Sequence, residues 1–243
     1  MLLNCDLGES YGSWTMGQDA DVMPYIDQAN IACGFHGGDP VTMRTTLALA
    51  AQHGVSIGAH PAYPDLVGFG RRSMNLSAEE IVASLHYQIA ALDGMALNQG
   101  LELGYVKPHG ALYNDMMANP AIRTAIMQAV ASFHRPLALM LQATPDAKRH
   151  RLEAEALGLQ VLFEAFADRC YVDDGSLLSR RKPGAVHSRE RMLAQVQELT
   201  ARGTVTTVNG RVLELHPDTL CVHGDNIEGV QAIQAIRALV DGI

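Results

Sequence analysis

Lysine is scarce in this chain of 243 residues, which contains only Lys107, Lys148 and Lys182. None of the three lies in a GxxxxGK[ST] motif, so the sequence has no Walker P-loop, and a GxGxxG dinucleotide fingerprint is absent too. The formal net charge of −8 argues against a nucleic-acid-binding protein, because phosphate backbones are bound by a surplus of Lys and Arg. If the protein uses ATP, it therefore binds ATP without a P-loop or relies on a partner protein to bind it.

Long apolar runs are absent as well. No run approaches the roughly 20 residues needed to cross a bilayer, and the N-terminal "MLLNCDLGES" turns polar almost at once, unlike a signal peptide. The cysteines are far apart and form no CxxC pair, which argues against a disulfide framework or a zinc ribbon. We expect a cytoplasmic protein with no membrane or nucleic-acid partner and with four reduced cysteines, Cys5, Cys33, Cys170 and Cys221.

Strand-like and helix-like segments alternate along the chain. A hydrophobic content of 48% is sufficient for a large core, although the length fits either one α/β barrel or two small domains. Strand-like runs of apolar and β-branched residues recur seven times. The predicted strands are Leu2–Cys5, Gln28–Cys33, Ser56–Ala59, Leu103–Val106, Leu137–Leu141, Val161–Phe166 and Thr219–Val222.

Helix signals lie between these strands. Pro40–His53 has Asp39 as a candidate N-cap and Gly54 as a stop, and Ser77–Asn98 opens with a capping box. Further helices are predicted at Pro120–Phe133, Pro145–Leu157 and Ser188–Arg202.

This alternation predicts parallel strands joined by crossover helices. We expect one domain spanning residues 1–243, a seven-stranded (β/α) barrel, with an open doubly wound sheet as the alternative. The segment Thr204–Leu215 does not fit the alternation of strands and helices. It has Asn209-Gly210 between two β-rich segments, which predicts a small β-hairpin insertion at the rim of the barrel.

Titratable side chains stand at the ends of six of the seven predicted strands. In a (β/α) barrel the carboxyl ends of the strands meet on one face, which carries the active site. We therefore predict a shared site, with Asp39 kept as a helix cap. The residues at the strand ends are Asn4, Asp6 and Glu9, His36, His60 with Asp65, Lys107 with His109, Asp168 with Arg169, and His223 with Asp225.

These residue types suit proton transfer and charge stabilisation. Lys107 offers a fixed positive charge for a carboxylate or a developing oxyanion, and the histidines exchange protons near neutral pH. Asp6 or Glu9 could act as a general base, position water or bind a metal. Asp6, His36 and His60 form a possible Zn²⁺ or Mn²⁺ set. No HExxH or similar short spacing supports that set, so metal binding stays an open alternative.

A glycine-rich loop, "GFGRRSM" (Gly68–Met74), carries two adjacent arginines. As an arginine fork on a mobile loop, Arg71 and Arg72 would suit a carboxylate or phosphate. The plain alternative is a solvated basic turn.

Six sequence blocks resemble the LamB/YcsF family over residues 2 to about 226. The blocks are "LNCDLGESYG", "NIACGFHGGDP", "IGAHPAYPDLVGFGRR", "YVKPHGALYN", "FADRCY" and "CVHGD". Small departures, such as "HGGDP" where HAGDP is expected, stand beside the polar groups and not on them. The resemblance implies a seven-stranded (β/α) barrel related to polysaccharide deacetylases and some glycoside hydrolases.

The resemblance also implies a function. It points to a 5-oxoprolinase acting with partner subunits B and C, which hydrolyses 5-oxo-L-proline to L-glutamate with cleavage of ATP in the presence of Mg²⁺. The absent P-loop places ATP handling with the partners. The resemblance carries over onto the strand-end residues already named. We hypothesise catalytic roles for Asp6, Glu9, Lys107, His109 and His223, and anion or substrate binding by His36, His60, Arg71, Arg72, Asp168, Arg169 and Asp225.

Two alternatives remain. One is a stand-alone metal-dependent deacetylase or amidase on the same kind of barrel. The other is a non-catalytic carrier of a small anionic metabolite.

Overall fold

Seven parallel strands close into a barrel, as predicted. The computed structural model describes residues 1–180 and 182–242. In their order around the barrel, the strands are β1 (Leu2–Leu7), β2 (Gln28–Ala32), β3 (Ser56–His60), β4 (Leu103–Val106), β5 (Ala138–Gln142), β6 (Val161–Phe166) and β9 (Thr219–His223). Closure is made by β9, which pairs with both β1 and β6.

Helices surround the barrel and bury their apolar faces against it. The helices are α1 (Asp19–Val22), α2 (Pro40–His53), α3 (Ala78–Leu97), α4 (Gly110–Ala118), α5 (Pro120–Ala131), α6 (Ala147–Glu155), α7 (Arg189–Arg202) and α8 (Ile227–Asp241), with a 3₁₀ turn at Met23–Tyr25. Among the described residues, no helix combines the length and apolarity needed to cross a bilayer.

The two predicted capping motifs are confirmed. Asp39 accepts hydrogen bonds from the backbone N–H groups of Val41 and Thr42 at the start of α2, and Ser77 and Glu80 form the capping box of α3. The sequence did not predict α4 and α8, whose N-cap residues make no side-chain cap hydrogen bond. These helices depend on packing more than on local signals.

Four strand ends extend further than predicted. β1 continues to Leu7, β3 includes His60, β5 includes Gln142, and β9 includes His223. Asp6 therefore lies within β1, where its register partners are Asn30 on β2 and His223 on β9. The strand ends thus deliver polar side chains directly to the barrel axis.

The interior of the barrel is polar along part of its length. Asn30 donates to Asn4 and Asp6, both at 2.8 Å, and accepts from the Tyr105 hydroxyl at 2.7 Å. The Tyr105 ring lies where a side chain at Gly58 would be, since an added Cβ there would come 2.2 Å from the ring. Glycine at this position makes room for the tyrosine that anchors the network. A fully hydrogen-bonded network of this kind fixes one arrangement of the side chains.

The predicted hairpin is present as an antiparallel pair of β7 (Thr204–Thr206) and β8 (Val212–Glu214). Gly210 in its turn has a φ of 83°, a left-handed conformation that favours glycine. Beyond β7, the backbone N–H of Val208 donates to the Tyr171 carbonyl at 2.9 Å, so the hairpin braces the segment after β6.

Candidate functional site

A cavity of about 930 Å³ opens at the carboxyl ends of the barrel strands. The sequence-predicted residues gather there in two layers. The cavity wall includes Asp6, His60, Arg71, Arg72, Lys107, His109, Arg169 and His223. Directly behind this wall, in contact with it, lie Glu9, His36, Asp168 and Asp225.

Lys107 lies at the base of the cavity and is 2% exposed. Its ammonium group is 2.7 Å from Asp6 Oδ1 and 3.0 Å from Glu164 Oε2. It also donates to Cys221 Sγ at 3.1 Å and to Asn4 Oδ1 at 3.4 Å. Four partners therefore hold the ammonium group in one position.

The charges of this group and of Asp6 stabilise each other. Burial by itself would lower the pKa of Lys107, but the nearby Asp6 and Glu164 carboxylates raise it well above its usual value. Burial would likewise raise the pKa of Asp6, whereas His60 and Lys107 hold it well below its usual value. Both groups are charged at neutral pH.

Glu164 was not singled out from the sequence. It is fully buried in the middle of β6, where the run "VLFEAF" is otherwise apolar. A carboxylate on a buried strand needs a cation, since an isolated buried charge is very costly. A single carboxylate in an apolar strand is therefore the sequence feature that could have identified Glu164. The structure shows that Lys107 is its cation partner.

A pair of histidines, His60 and His109, lies beside Asp6. His60 Nδ1 donates to the Lys107 carbonyl at 2.7 Å, and His109 Nε2 donates to the Phe69 carbonyl at 2.9 Å. These carbonyls accept only, so they fix which nitrogen of each ring carries hydrogen. The remaining nitrogens, His60 Nε2 and His109 Nδ1, are 3.0 Å apart. Two lone pairs cannot face each other at that distance without a proton or another cation between them.

Glu9 completes this side of the site. Its Oε1 lies 3.1 Å from His36 Nε2, 3.3 Å from His109 Nδ1 and 4.0 Å from His60 Nε2. Burial, with the charge of Asp6, raises the pKa of Glu9 well above its usual value. Burial also lowers the pKa values of His36 and His109.

The loop Gly68–Met74 holds these rings in place. Among the described residues Phe69 is the only non-glycine residue with a positive φ, 53°, and Gly70 follows at 61°. This unusual backbone aims the Phe69 carbonyl at His109, while the Phe69 ring packs edge-on against His36 and His109. A Cβ at Gly70 would come 2.8 Å from the His109 ring, so only glycine fits. The loop therefore contributes backbone geometry as well as arginines.

His223 faces the cavity from the opposite wall. Its Nδ1 lies 2.8 Å from Asp168 Oδ1, and the Asn226 side-chain amide also donates to Asp168 at 3.0 Å. Burial would raise the pKa of Asp168, but His223 and the hydrogen bonds lower it well below its usual value. An ionised Asp168 thus fixes Nδ1 as the donor and leaves Nε2 of His223 as the exchanging nitrogen.

The predicted arginines diverge and do not form one fork. Arg71 reaches across the cavity mouth to Asp225, which Arg180 also approaches at 3.5 Å. Arg72 pairs instead with Asp65, a residue predicted from its strand end.

Arg169 is 7% exposed and donates to the carbonyls of Leu178 and Ala185. Burial lowers its pKa to about 10. Of the predicted arginines, Arg71 is the one that bridges the mouth, with Arg180 as an unpredicted second.

Two groups of donor atoms are close enough to hold a metal ion among the described residues. One contains Glu9, His36, His60 and His109, and the other contains Asp6, Cys221 and His223. The set Asp6, His36 and His60 expected from the sequence is divided between these groups. Asp6 Oδ1 accepts hydrogen bonds from Lys107 and Asn30, while its Oδ2 lies 3.4 Å from His60 Nε2.

Another unpredicted residue is His150 on α6. It is 2% exposed, lines the outer part of the cavity, and neither ring nitrogen has a hydrogen-bond partner among the described residues. Its helical context gave no signal, because α6 comes to the cavity only through the tertiary fold.

Comparison with known proteins agrees with this architecture. The model of the LamB/YcsF family matches residues 1–242. The 5-oxoprolinase A subunit from Pseudomonas fluorescens (strain Pf0-1) is 57% identical over 238 residues, covering 98% of this chain and 95% of that protein. The 5-oxoprolinase A subunit from Chromohalobacter salexigens is 55% identical over 244 residues, covering 100% of this chain and 97% of that protein.

A solved structure supports the same assignment. The crystal structure of a lactam utilization protein from Thermus thermophilus superposes with a TM-score of 0.90 at 39% identity, covering 100% of this chain and 96% of that one. Sequence motifs, barrel and relatives therefore agree along nearly the whole length. The chain belongs to the LamB/YcsF family.

Proposed function

We propose that this chain provides the lactam-opening site of an ATP-dependent 5-oxoprolinase. It would convert 5-oxo-L-proline to L-glutamate together with partner subunits B and C, with ATP and Mg²⁺ handled by or with those partners. The observation that carries the proposal is one cavity with the ion pair of Asp6 and Lys107 at its base and the pair of Asp168 and His223 on its wall. Relatives 55–57% identical are named as A subunits of 5-oxoprolinase.

The substrate carries one carboxylate, and the cavity mouth offers cations for it. Arg71 and Arg180 both contact Asp225, and Asp225 Oδ1 has no hydrogen-bond partner among the described residues. An incoming carboxylate or phosphate could bind these guanidinium groups in the same way. The cavity volume of about 930 Å³ exceeds the need of a single five-membered lactam and leaves room for a phosphorylated form.

Ring opening requires water to add to the lactam carbonyl carbon and the C–N bond to break. An amide resists this attack, and phosphorylation of its oxygen by ATP would make the carbon a better electrophile. Because this chain has no P-loop, we assign the phosphoryl transfer to a partner subunit. The pair of electrons from the C–N bond goes to nitrogen, which takes a proton to become the amine of glutamate. The former lactam carbon is then an acyl phosphate, and a second water releases inorganic phosphate from it to leave the side-chain carboxylate of glutamate.

His223 has the geometry for that proton transfer. Asp168 holds its Nδ1–H, as an orienting carboxylate does in acid–base pairs, so Nε2 exchanges the proton. His109 is less suited to this role because both of its ring nitrogens already have partners.

Asp6 and Lys107 would act on the water and on developing charge. The low pKa of Asp6 makes it a weak base, so we assign it to orienting the water by accepting a hydrogen bond. Lys107 keeps Asp6 ionised and supplies positive charge beneath the reacting carbon.

The test is glutamate release from 5-oxoproline. It compares the chain alone with the chain plus subunits B and C, ATP and Mg²⁺. Turnover only in the complete mixture supports the proposal. The proposal fails if the complete mixture gives no glutamate while each partner is shown to be folded and ATP is intact.

The convergence of donor atoms around Glu9, His60 and His109 favours a second candidate, a stand-alone metal-dependent amide hydrolase. It predicts chelator-sensitive turnover by the isolated chain without ATP. The same assay distinguishes the two, since the first candidate predicts no glutamate from the chain alone.

A further inference from the structure

We propose that Glu9, His60 and His109 bind one divalent transition-metal ion, with Zn²⁺ the best match to two imidazoles and a carboxylate. The inference goes beyond the proposed function, which requires no metal on this chain. It stands on the positions of three donor atoms and on the hydrogen bonds that orient them.

The spacing of the donor atoms suits a tetrahedral ion. Zn–N and Zn–O bonds of about 2.0–2.1 Å at tetrahedral angles place neighbouring ligand atoms about 3.3–3.4 Å apart. The observed separations are 3.0 Å between His60 Nε2 and His109 Nδ1, 3.3 Å between His109 Nδ1 and Glu9 Oε1, and 4.0 Å between His60 Nε2 and Glu9 Oε1. Small side-chain adjustments would therefore bring all three into bonding distance.

The outer hydrogen bonds are those that metal-binding histidines make. Such residues donate their second ring N–H to a backbone carbonyl or a carboxylate, which fixes the tautomer and aims the free nitrogen at the ion. His60 donates to the Lys107 carbonyl and His109 to the Phe69 carbonyl. Their rings are nearly perpendicular, at 86°, so the two free nitrogens approach from different directions.

His36 lies in the same cluster but is better placed to orient Glu9. Its ring is parallel to that of His109, with centroids 3.7 Å apart and an interplanar angle of 4°. Lone pairs in two parallel planes cannot both point at one ion between them. The Nε2 of His36 lies 3.1 Å from Glu9 Oε1, so this histidine is a positioning residue for the carboxylate.

The second group, Asp6, Cys221 and His223, is a poorer site. The Lys107 ammonium group already bonds Asp6 Oδ1 and Cys221 Sγ, and its positive charge would repel a cation there. Burial and the charge of Asp6 also raise the pKa of Cys221 well above its usual value, which disfavours the thiolate that metals bind.

Three protein ligands leave a fourth position for water, as in catalytic zinc sites. His60 and His109 line the cavity, whereas Glu9 lies behind them, so the open position is on the cavity side. Asp6 Oδ2 lies 3.4 Å from His60 Nε2, close enough to bond a water held there. The metal site and the cavity would then share one reacting water.

The experiment measures metal in the isolated, full-length chain, so it does not depend on turnover. Wild-type protein is stripped with a chelator, incubated separately with Zn²⁺, Mn²⁺ or Co²⁺, desalted and assayed for bound metal. We expect about one Zn²⁺ per chain, and a Co²⁺ form whose visible spectrum indicates four-coordination. Failure of wild-type protein to retain any of the three ions would overturn the proposal.

Variants identify the ligands. Glu9→Gln, close to isosteric, should leave below about a tenth of an equivalent of Zn²⁺. His36→Phe keeps the ring stack and should weaken binding about 10–100-fold. The matched control is His134→Gln, because His134 is exposed and remote from the cluster.

Zn²⁺ should raise the unfolding temperature of wild-type protein and of His134→Gln but not that of Glu9→Gln. This thermal readout also shows whether each variant is folded. Full Zn²⁺ retention by folded Glu9→Gln would exclude these three ligands.

Discussion

Two walls of the cavity carry the same residue types and arrange them differently. On one wall, His60 Nε2 and His109 Nδ1 lie 3.0 Å apart, and Glu9 Oε1, from behind the wall, lies 3.3 Å from His109 Nδ1 and 4.0 Å from His60 Nε2. On the other, His223 gives one nitrogen to Asp168 and keeps the second free. Histidine and carboxylate alone do not distinguish these walls, whereas the orientation of each ring does.

The two walls differ in the group that binds the second nitrogen of each ring, the far nitrogen: His60 Nδ1, His109 Nε2 and His223 Nδ1. Backbone carbonyls of Lys107 and Phe69 take the far N–H on the first wall, which leaves neutral nitrogen lone pairs for a cation. An ionised carboxylate, that of Asp168, takes it on the second wall, which leaves Nε2 of His223 facing the cavity in a position suited to proton transfer. Lys107 lies between the walls. Its ammonium group pairs with Asp6, and its backbone carbonyl accepts the Nδ1–H of His60.

The largest effect is expected where the walls meet, at Lys107. Replacement by Met would leave Asp6 and Glu164 without their cation in a buried position. We expect loss of about 10²–10³-fold in the rate of the reconstituted complex and of about 3–5 kcal/mol in the free energy of unfolding. Glutamate release and chemical denaturation measure these quantities.

The matched control is Lys148→Met, an exposed position on α6. It should keep wild-type stability and rate. If Lys107→Met is folded and retains more than about a tenth of the wild-type rate, Lys107 has no part in the reaction.

The second-largest effect is expected at Asp168, and this variant tests the second wall alone. Asp168→Asn would remove the charge that orients His223 while preserving size. We expect the rate to fall about 10²-fold, since a positioned acid or base contributes about 10²–10⁴-fold. Zn²⁺ retention should not change. Loss of metal together with rate would show that the two walls act as one unit.

Gly70→Ala tests the first wall through its backbone. The new Cβ would come 2.8 Å from the His109 ring and 2.9 Å from His36, besides occupying a positive φ of 61°. We expect weaker Zn²⁺ binding and about 1–3 kcal/mol of lost stability. Gly100→Ala has a similar φ of 71° with open space around the new Cβ, so the difference between the variants isolates the contact with the histidines. Equal Zn²⁺ affinity in both would show that the loop does not position the ligands.

The smallest effect lies outside both walls, at Asp39. Hydrogen bonds from the Gly12 N–H and the Thr42 hydroxyl lower the pKa of Asp39 to about 2. Asp39→Ala should cost about 1 kcal/mol at neutral pH with the reaction rate unchanged. The lowered pKa means that this contribution is present above the unfolded value of about 3.9 and is lost as the pH falls toward 2.

The control here is Asp146→Ala, because Asp146 stands at the N-cap of α6 without a side-chain cap hydrogen bond. It should cost less than about 0.5 kcal/mol. Denaturation at several pH values measures both variants, and equal costs would mean that the Asp39 hydrogen bonds add no stability.

Local patterns were enough to predict the barrel and the gathering of the site. Alternating strands and helices predicted seven parallel strands, and the capping residues Asp39 and Ser77 located two helix starts. Because strand ends converge in a barrel, the polar residues at the predicted strand ends include Asp6, Lys107 and His223, all of which line the cavity. α4 and α8 were not predicted, and neither start carries a side-chain cap.

What the sequence by itself determined is the alternation of strands and helices and the polar residues at the strand ends, since both follow from local patterns; His150 and Arg180 reach the cavity only through the tertiary fold. Only the tertiary structure decided how the polar residues pair. Glu164 meets Lys107 across the barrel, Glu9 lies beside His36 and His109, and Arg71 and Arg72 pair with different aspartates. The physical reason is that these pairings depend on ring orientation and hydrogen-bond partners within a few ångströms, between residues far apart in the chain.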